Sequence, residues 1–448
     1  MITHIRMKNF KSWKDSGEVK FAPLTGFFGT NSSGKSSLLQ MLLLLKQAAE
    51  HSDPNEVIFF GDQNSLVNLG NFREVIHGHN SQTTLGLEFG CKVQKPFTIK
   101  IQHAPYRSSS DFSLNVKSFT FNATIFCREN KISVQEGSYR VEPENEKQVV
   151  DDSNISFIVP GSHVKSGNAE QIITGNFSRK IYGEPYNSHA SNNPIIQFSS
   201  EFKNLFSRVY YLGPTRVDPQ RRYSWNGGHP QHIRQWGNQT VDALLSARVR
   251  KLKTLHQEEE MPIEDRVSYW LQEMELAHSF SLDWTSHGST KYEIRIQKSP
   301  GSAAVTLVDM GYGLGQFLPV LVLCYYAPEG STLILEQPGI HLHPKVQSQL
   351  ADLLIEVITE RNLQILVESH SEHLLNRLQR RIAEEKVSVD KTALYFCRND
   401  EGVSNIERLK MDEFGNIANW PENFFGDEMG DLFAMTKAQR KRQKKVEG

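Results

Sequence analysis

The residues best suited to chemistry are gathered in Gly29-Thr30-Asn31-Ser32-Ser33-Gly34-Lys35-Ser36-Ser37. A glycine, four residues, then Gly-Lys-Ser is the spacing of a phosphate-binding loop. The two glycines let the backbone curl, so that the N–H groups of Asn31, Ser32, Ser33, Gly34, Lys35, Ser36 and Ser37 can turn toward an anion. Lys35 supplies a positive charge for the terminal phosphates of ATP, and the Ser36 hydroxyl is a ligand for Mg2+. A metal held against phosphates also needs a carboxylate. Thr332-Leu333-Ile334-Leu335-Glu336-Gln337-Pro338 delivers Glu336 to the end of an apolar run, where it can reach the ion beside Ser36. A second such run, Gln364-Ile365-Leu366-Val367-Glu368-Ser369-His370, ends in a polar cluster with His370. Upstream, Asp309 to Pro319 is a glycine-rich loop containing Gly313, Gly315 and Gln316 that opens an apolar helix, and helix N-termini attract anions.

The elements that must position these residues are legible around them. Leu24-Thr25-Gly26-Phe27-Phe28 reads as a short buried strand leading into the loop, and Leu38 to Leu45 as a helix leading out of it. Strand, loop and helix in that order turn the spacing into a mechanism. Helices are expected over Lys345–Glu360 and Ser371–Glu384, each following a site strand, and this alternation indicates a parallel α/β core. Phe97–Ile101 and Ser118–Ile125 alternate as strands do, so the stretch from about residue 91 to 205 reads as β-rich, with loop over Gly161–Asn193. Val241 to Leu276 has a helical pattern.

Composition narrows the class. The chain has 448 residues, of which 38% are hydrophobic, enough for a sizeable core. Its 50 basic and 51 acidic side chains leave a net charge of -1, so any nucleic acid or membrane attraction must be local. Cys91, Cys127, Cys324 and Cys397 are scattered and form no CxxC pair, which argues against a zinc site or a secreted disulfide framework. With no apolar signal segment at Met1–Phe10 and no run long enough to span a bilayer, a cytoplasmic protein without membrane association is expected. The segment Lys437 to Lys445 has six basic residues in nine and offers a local patch for nucleic acid phosphates.

The four elements, in this order, resemble the ABC-type ATPase heads of SMC and OLD-family proteins. More closely, they are similar to AAA-family ATPases of bacterial anti-phage defence loci, the PtuA-like ATPases of Septu systems. Ile5–Ser12, Leu69–Phe72, Tyr211-Leu212-Gly213-Pro214-Thr215-Arg216, Gln337–Pro344 and Asn419–Phe425 carry further similarity, which covers roughly residues 1–90 and 205–435. The resemblance implies an ABC-type head: a first lobe over 1–90, a β-rich insertion over 91–205, a lobe connection with a short helical subdomain over 206–300, a second lobe over 301–435 and a basic tail over 436–448. It implies that His370 contacts the γ-phosphate, that Gly313–Gln316 caps the ATP of a partner chain, and that Gln63 contacts the metal from the loop joining the lobes. Most ABC ATPases have a catalytic glutamate where this chain has Gln337. An amide cannot accept a proton as a carboxylate does, so slow turnover is expected.

These residues support several functions. The first is a switch ATPase that closes as a homodimer or higher oligomer around ATP and controls a separately encoded nuclease or toxin. A self-contained OLD-like nuclease would need a carboxylate-rich domain after His370, where too few residues are expected for it; Asp427, Glu428 and Asp431 form an acidic cluster there. An SMC-like DNA-binding ATPase would need a coiled coil where only the stretch around Val241–Leu276 stands. A small-molecule kinase would share the phosphate loop but has no use for the histidine-rich and Glu-Ser-His segments.

Overall fold

The computed structural model describes residues 1–101, 112–129, 131–143, 154–157, 171–173, 180–182, 194–286, 289–421, 424–425 and 433–439. Its centre is a six-stranded sheet with the order Val209–Leu212, Thr332–Glu336, Gln364–Glu368, Leu24–Gly29, Thr392–Asp400, Val403–Arg408. The first five strands are parallel and the sixth turns back antiparallel. The adjacent parallel strands Thr332–Glu336 and Gln364–Glu368 are joined directly through the helix Pro344–Glu360, as the alternation of that part of the sequence requires.

The sheet is buried on both faces, which is why its strands read as continuous apolar runs. Leu24, Phe28, Leu333, Leu335, Ile365 and Val367 pack on one side, into a core shared with the helices Tyr312–Tyr326, Pro344–Glu360 and Glu372–Ala383. Phe27, Ile334 and Leu366 pack on the other, against the helix Lys35–Glu50. That helix is buried nearly all round, so its Leu38–Leu45 run shows no polar face. The second core extends under an eight-stranded sheet formed by the N-terminal strands and Leu85–Ile101, Phe112–Arg128, Lys131–Pro143, Asn154–Phe157 and Gln171–Ile173. The region expected to be β-rich therefore supplies the wide sheet over the first core helix. Of the loop expected over Gly161–Asn193, most lies outside the described residues, as do Asp427, Glu428, Asp431 and the tail beyond residue 439.

The helical reading of Val241–Leu276 needs correction. Two helices, Thr240–Val249 and Ile263–Glu273, flank a hairpin of Lys253–His256 and Glu259–Pro262. Gln257 and Glu258 turn the chain with φ of 49° and 71°, and Pro262 ends the hairpin at the helix start. A small antiparallel sheet of Tyr223–Ser224, Ser279–Trp284, Lys291–Gln297 and Val305–Thr306 lies alongside, so this subdomain is mixed rather than helical. Among the described residues, no helix is long and apolar enough to cross a membrane.

Candidate nucleotide site

The strand Leu24–Gly29, inside the sheet, hands the chain to the loop at the C-terminal ends of the parallel strands, and Lys35 begins the next helix. Gly34 has φ of 92°, and a Cβ there would come within 2.4 Å of the Ser404 Oγ and 2.8 Å of the Trp13 Nε1. Only glycine fits this position. Trp13, fully buried, donates its indole N–H to the Gly34 carbonyl at 3.2 Å and so fixes the end of the loop. The helix start has no side-chain cap, which leaves its first N–H groups free for an anion.

Lys35 is 3% exposed and folded onto its own loop, donating to the Gly29 carbonyl at 3.1 Å, the Thr30 carbonyl at 2.6 Å and the Ser33 Oγ at 3.3 Å. Burial lowers its pKa, and the Glu368 charge opposes that shift. His370 stands at the exposed rim beside the same loop. Partial burial and the Lys35 charge lower its pKa, while its hydrogen bond to the Gly29 backbone works the other way.

The parallel register makes Glu336 and Glu368 direct neighbours, with Phe27 beside Glu368 on its other flank. Both carboxylates are buried, at 6% and 5% exposure. Burial, then the Glu368 charge, pushes the pKa of Glu336 up to about 7, although Tyr211, Lys11 and Arg216 pull it back. Burial raises Glu368 as well, against the Ser36 hydroxyl and the Lys35 charge. The Oε2 of Glu368 is buried without a hydrogen-bond partner. Two dehydrated carboxylates side by side, one with an orphaned oxygen, next to a serine hydroxyl, form a donor set suited to a hard divalent cation.

Gln337 follows Glu336 with φ of 48° and donates its backbone N–H to the Glu368 carbonyl at 2.9 Å. Gly313, Gly315 and Gln316 lie within the opening turns of the helix Tyr312–Tyr326. Gly313 packs against the His341 carbonyl and Gly315 against Pro219, and Gln316 is buried at 2% exposure. The surface at this helix mouth belongs instead to Gly311 and Tyr312, and Tyr312 is 52% exposed with its ring against His341. Gln63 stands exposed in the turn Asp62–Ser65, which Gln235 fastens by a 2.8 Å hydrogen bond to the Ser65 carbonyl.

Lys35, Ser36 and Glu336 are placed around Glu368, with His370 at the rim of the same loop, and the fold brings Tyr211 and Arg216 to them. Glu368 is the nearer carboxylate to Ser36 and Lys35. Tyr211 donates its hydroxyl to Glu336 Oε1 at 3.0 Å, and Arg216 donates to the Glu336 carbonyl at 3.0 Å. Both come from more than a hundred residues away, so no local spacing announces them.

Comparison with known families gives three matches, two of which divide the site between them. Residues 1–217 match the AAA ATPase domain, a segment holding the phosphate loop, Tyr211 and Arg216. Residues 238–376 match the family described as AAA domain, putative AbiEii toxin, Type IV TA system, a segment holding Glu336, Glu368 and His370. Both of these matched descriptions are of AAA-type ATPase domains, and between them they take in both halves of the site. Beyond these AAA-type segments, residues 387–435 match a family described as a protein of unknown function, DUF3696. No curated protein matches the chain. Among solved structures, an SMC head bound to the C-terminal winged-helix domain of ScpA shares 12% identity, covers 91% of this chain and 98% of its own, and has a TM-score of 0.45. The SMC head domain of Thermotoga maritima shares 13% identity over 92% of this chain and 99% of its own, with a TM-score of 0.40. An SMC head with an extended coiled coil bound to the C-terminal domain of ScpA, derived from Pyrococcus furiosus, shares 11% identity over 91% and 96%, with a TM-score of 0.44.

Proposed function

We propose that this AAA-type ATPase is a switch: two copies close head to tail around ATP, hydrolyse it slowly, and thereby control a separately encoded nuclease or toxin in anti-phage defence. The observation that carries the nucleotide reading is the pairing of buried Glu336 and Glu368 beside the Lys35–Ser36 helix start, with Glu368 Oε2 unpartnered. Ser36, Glu336 and Glu368 would hold Mg2+, which offsets phosphate charge when bound. Lys35 would exchange its loop carbonyls for phosphate oxygens, and His370 at the rim would face the outermost phosphate.

Two features support closure with a second copy. The helix mouth at Gly311–Tyr312 is exposed and has no side-chain cap, so its N–H groups are open to an anion held by another chain. Gln337 carries no basic carboxylate, which favours a long-lived ATP-bound state over rapid turnover. The effector and the defence setting rest on the resemblance of the motifs.

ATP turnover and molecular mass in solution, measured together for the wild type, Lys35→Ala and Gln337→Glu, test this reading. ATP-dependent assembly with slow turnover is expected, lost in Lys35→Ala and with turnover raised roughly 10–100-fold in Gln337→Glu. A wild type that stays monomeric with ATP, or turns it over rapidly, overturns the switch.

A further inference from the structure

The segment Tyr211-Leu212-Gly213-Pro214-Thr215-Arg216 stands out in the sequence yet supplies nothing to the phosphate loop. In the fold it grips Glu336 from two sides. Tyr211 holds the carboxylate at 3.0 Å. Arg216 holds the backbone, donating from Nη2 to the Glu336 carbonyl at 3.0 Å and to the Gln337 carbonyl at 3.5 Å.

Arg216 is 3% exposed, and its Nε and Nη1 are buried with no hydrogen-bond partner. Burying a guanidinium with two of its three nitrogens unpaired is costly, and a position of that kind points to function. The turn it holds is itself unusual. Gln337 has φ of 48°, a conformation that a non-glycine residue keeps only where its surroundings enforce it. The backbone of Arg216 is held in turn. Its carbonyl accepts the Gln316 side-chain amide at 3.4 Å, and Gln316 is 2% exposed in the helix that opens at Tyr312. A continuous path therefore runs from that helix, through Gln316 and Arg216, to Glu336 at the end of the carboxylate strand and Gln337 after it.

We infer that Arg216 is a positioning residue that couples the helix opening at Tyr312 to the Glu336–Gln337 turn, setting where the Glu336 carboxylate and the Gln337 amide stand for ATP hydrolysis. This rests on the ATPase reading above. A single guanidinium nitrogen, Nη2, reaches both adjacent carbonyls from a planar group whose orientation burial fixes, a placement that a lysine ammonium on a flexible stem does not hold. Arg216→Lys therefore retains charge but loses alignment.

The test compares wild type, Arg216→Met, Arg216→Lys, Gln316→Leu and the Arg216→Met/Gln316→Leu pair. kcat for ATP is expected to fall roughly 10–100-fold in Arg216→Met with the ATP KM and Tm little changed, since a small misplacement of reacting groups costs that much. Arg216→Lys recovers only part of the loss. Gln316→Leu lowers kcat in the same sense, and the double variant is no slower than Arg216→Met, because both residues act on one path. Unchanged kcat in folded Arg216→Met, a rise in KM matching the fall in kcat, or additive losses overturn the inference. Should Arg216→Met not fold, Gln316→Leu carries the same test. Should the wild type hydrolyse no ATP, the function proposed above fails. Amide exchange over Gln337–Leu342 then decides the inference by itself: acceleration there in Gln316→Leu or Arg216→Lys, without change over Lys35–Leu45, supports it, and unchanged exchange sinks it.

Discussion

Glu336 binds its proton more tightly in the folded chain than in the unfolded one, because burial and the neighbouring Glu368 push its pKa up to about 7 from 4.5. Between those two values the native state holds more protons than the unfolded state, so stability falls as pH rises through the window. Without Mg2+, Tm is expected to fall from pH 5 to pH 8, and to fall less in Glu336→Gln, whose amide stays neutral. Equal slopes in thermal melts of the two proteins would show that Glu336 is not the group responsible. Cation affinity should run the other way and strengthen over the same range, since the ligand must shed its proton. At this scale the sequence was most informative. The loop spacing pointed to Lys35 and Ser36 and two apolar runs pointed to Glu336 and His370, and the fold places these residues around Glu368. Glu368 stood in view as a strand residue, but its nearness to Ser36 follows from pairing in the sheet, which spacing along the chain cannot express.

Elements meet at positions where single residues act as joints. Gln364 begins a central strand, is 2% exposed, and pairs both its amide atoms with Ile2 of the neighbouring sheet: Ile2 N–H to Oε1 at 2.9 Å, and Nε2 to the Ile2 carbonyl at 2.6 Å. The Thr332 hydroxyl donates to the same Oε1 at 3.0 Å. Gln364 thus completes a hydrogen-bond pattern that no strand supplies. Gln364→Leu leaves both Ile2 backbone groups buried and unpaired, and a loss of about 2–4 kcal/mol is expected in denaturant unfolding. The phosphate loop is a joint of another kind. Gly34→Ala pushes a methyl toward Ser404 and Trp13 in a left-handed conformation, so a loss of about 1–3 kcal/mol in stability should accompany weakened ATP binding in calorimetry. Wild-type affinity in a folded Gly34→Ala protein would show that the loop adapts. The element-level error in the sequence reading, one long helical stretch over Val241–Leu276, has the same origin. The segment's polar, charged residues satisfy a helical period, yet Gln257 and Glu258 take left-handed turns that only the folded hairpin reveals.

At the scale of the whole molecule, the two cores lie on opposite faces of the six-stranded sheet, and the carboxylate pair ends its central strands. The alternation of strands and helices made this α/β layering legible, whereas the wide sheet beyond residue 85 appeared only as a run of alternating segments. The layering also leaves the mouth of the helix Tyr312–Tyr326 exposed, with Tyr312 braced on His341 and joined through Gln316 and Arg216 to the Glu336 turn. A helix mouth that binds a partner chain's phosphates must be free of competing negative charge. Tyr312→Asp places a carboxylate there and repels them, while Tyr312→Phe keeps the ring. In sedimentation with ATP and Mg2+, the aspartate variant should remain at monomer mass and the phenylalanine variant should assemble as the wild type does. Mixing adds a sharper arm. Each site in a head-to-tail pair takes its phosphate loop from one chain and its helix mouth from the other, so Lys35→Ala and Tyr312→Asp chains damage opposite halves. A mixed pair would keep one intact composite site and regain part of the turnover that neither chain shows alone. Absence of that complementation, with both proteins folded, would mean that the helix mouth does not serve a second chain's nucleotide.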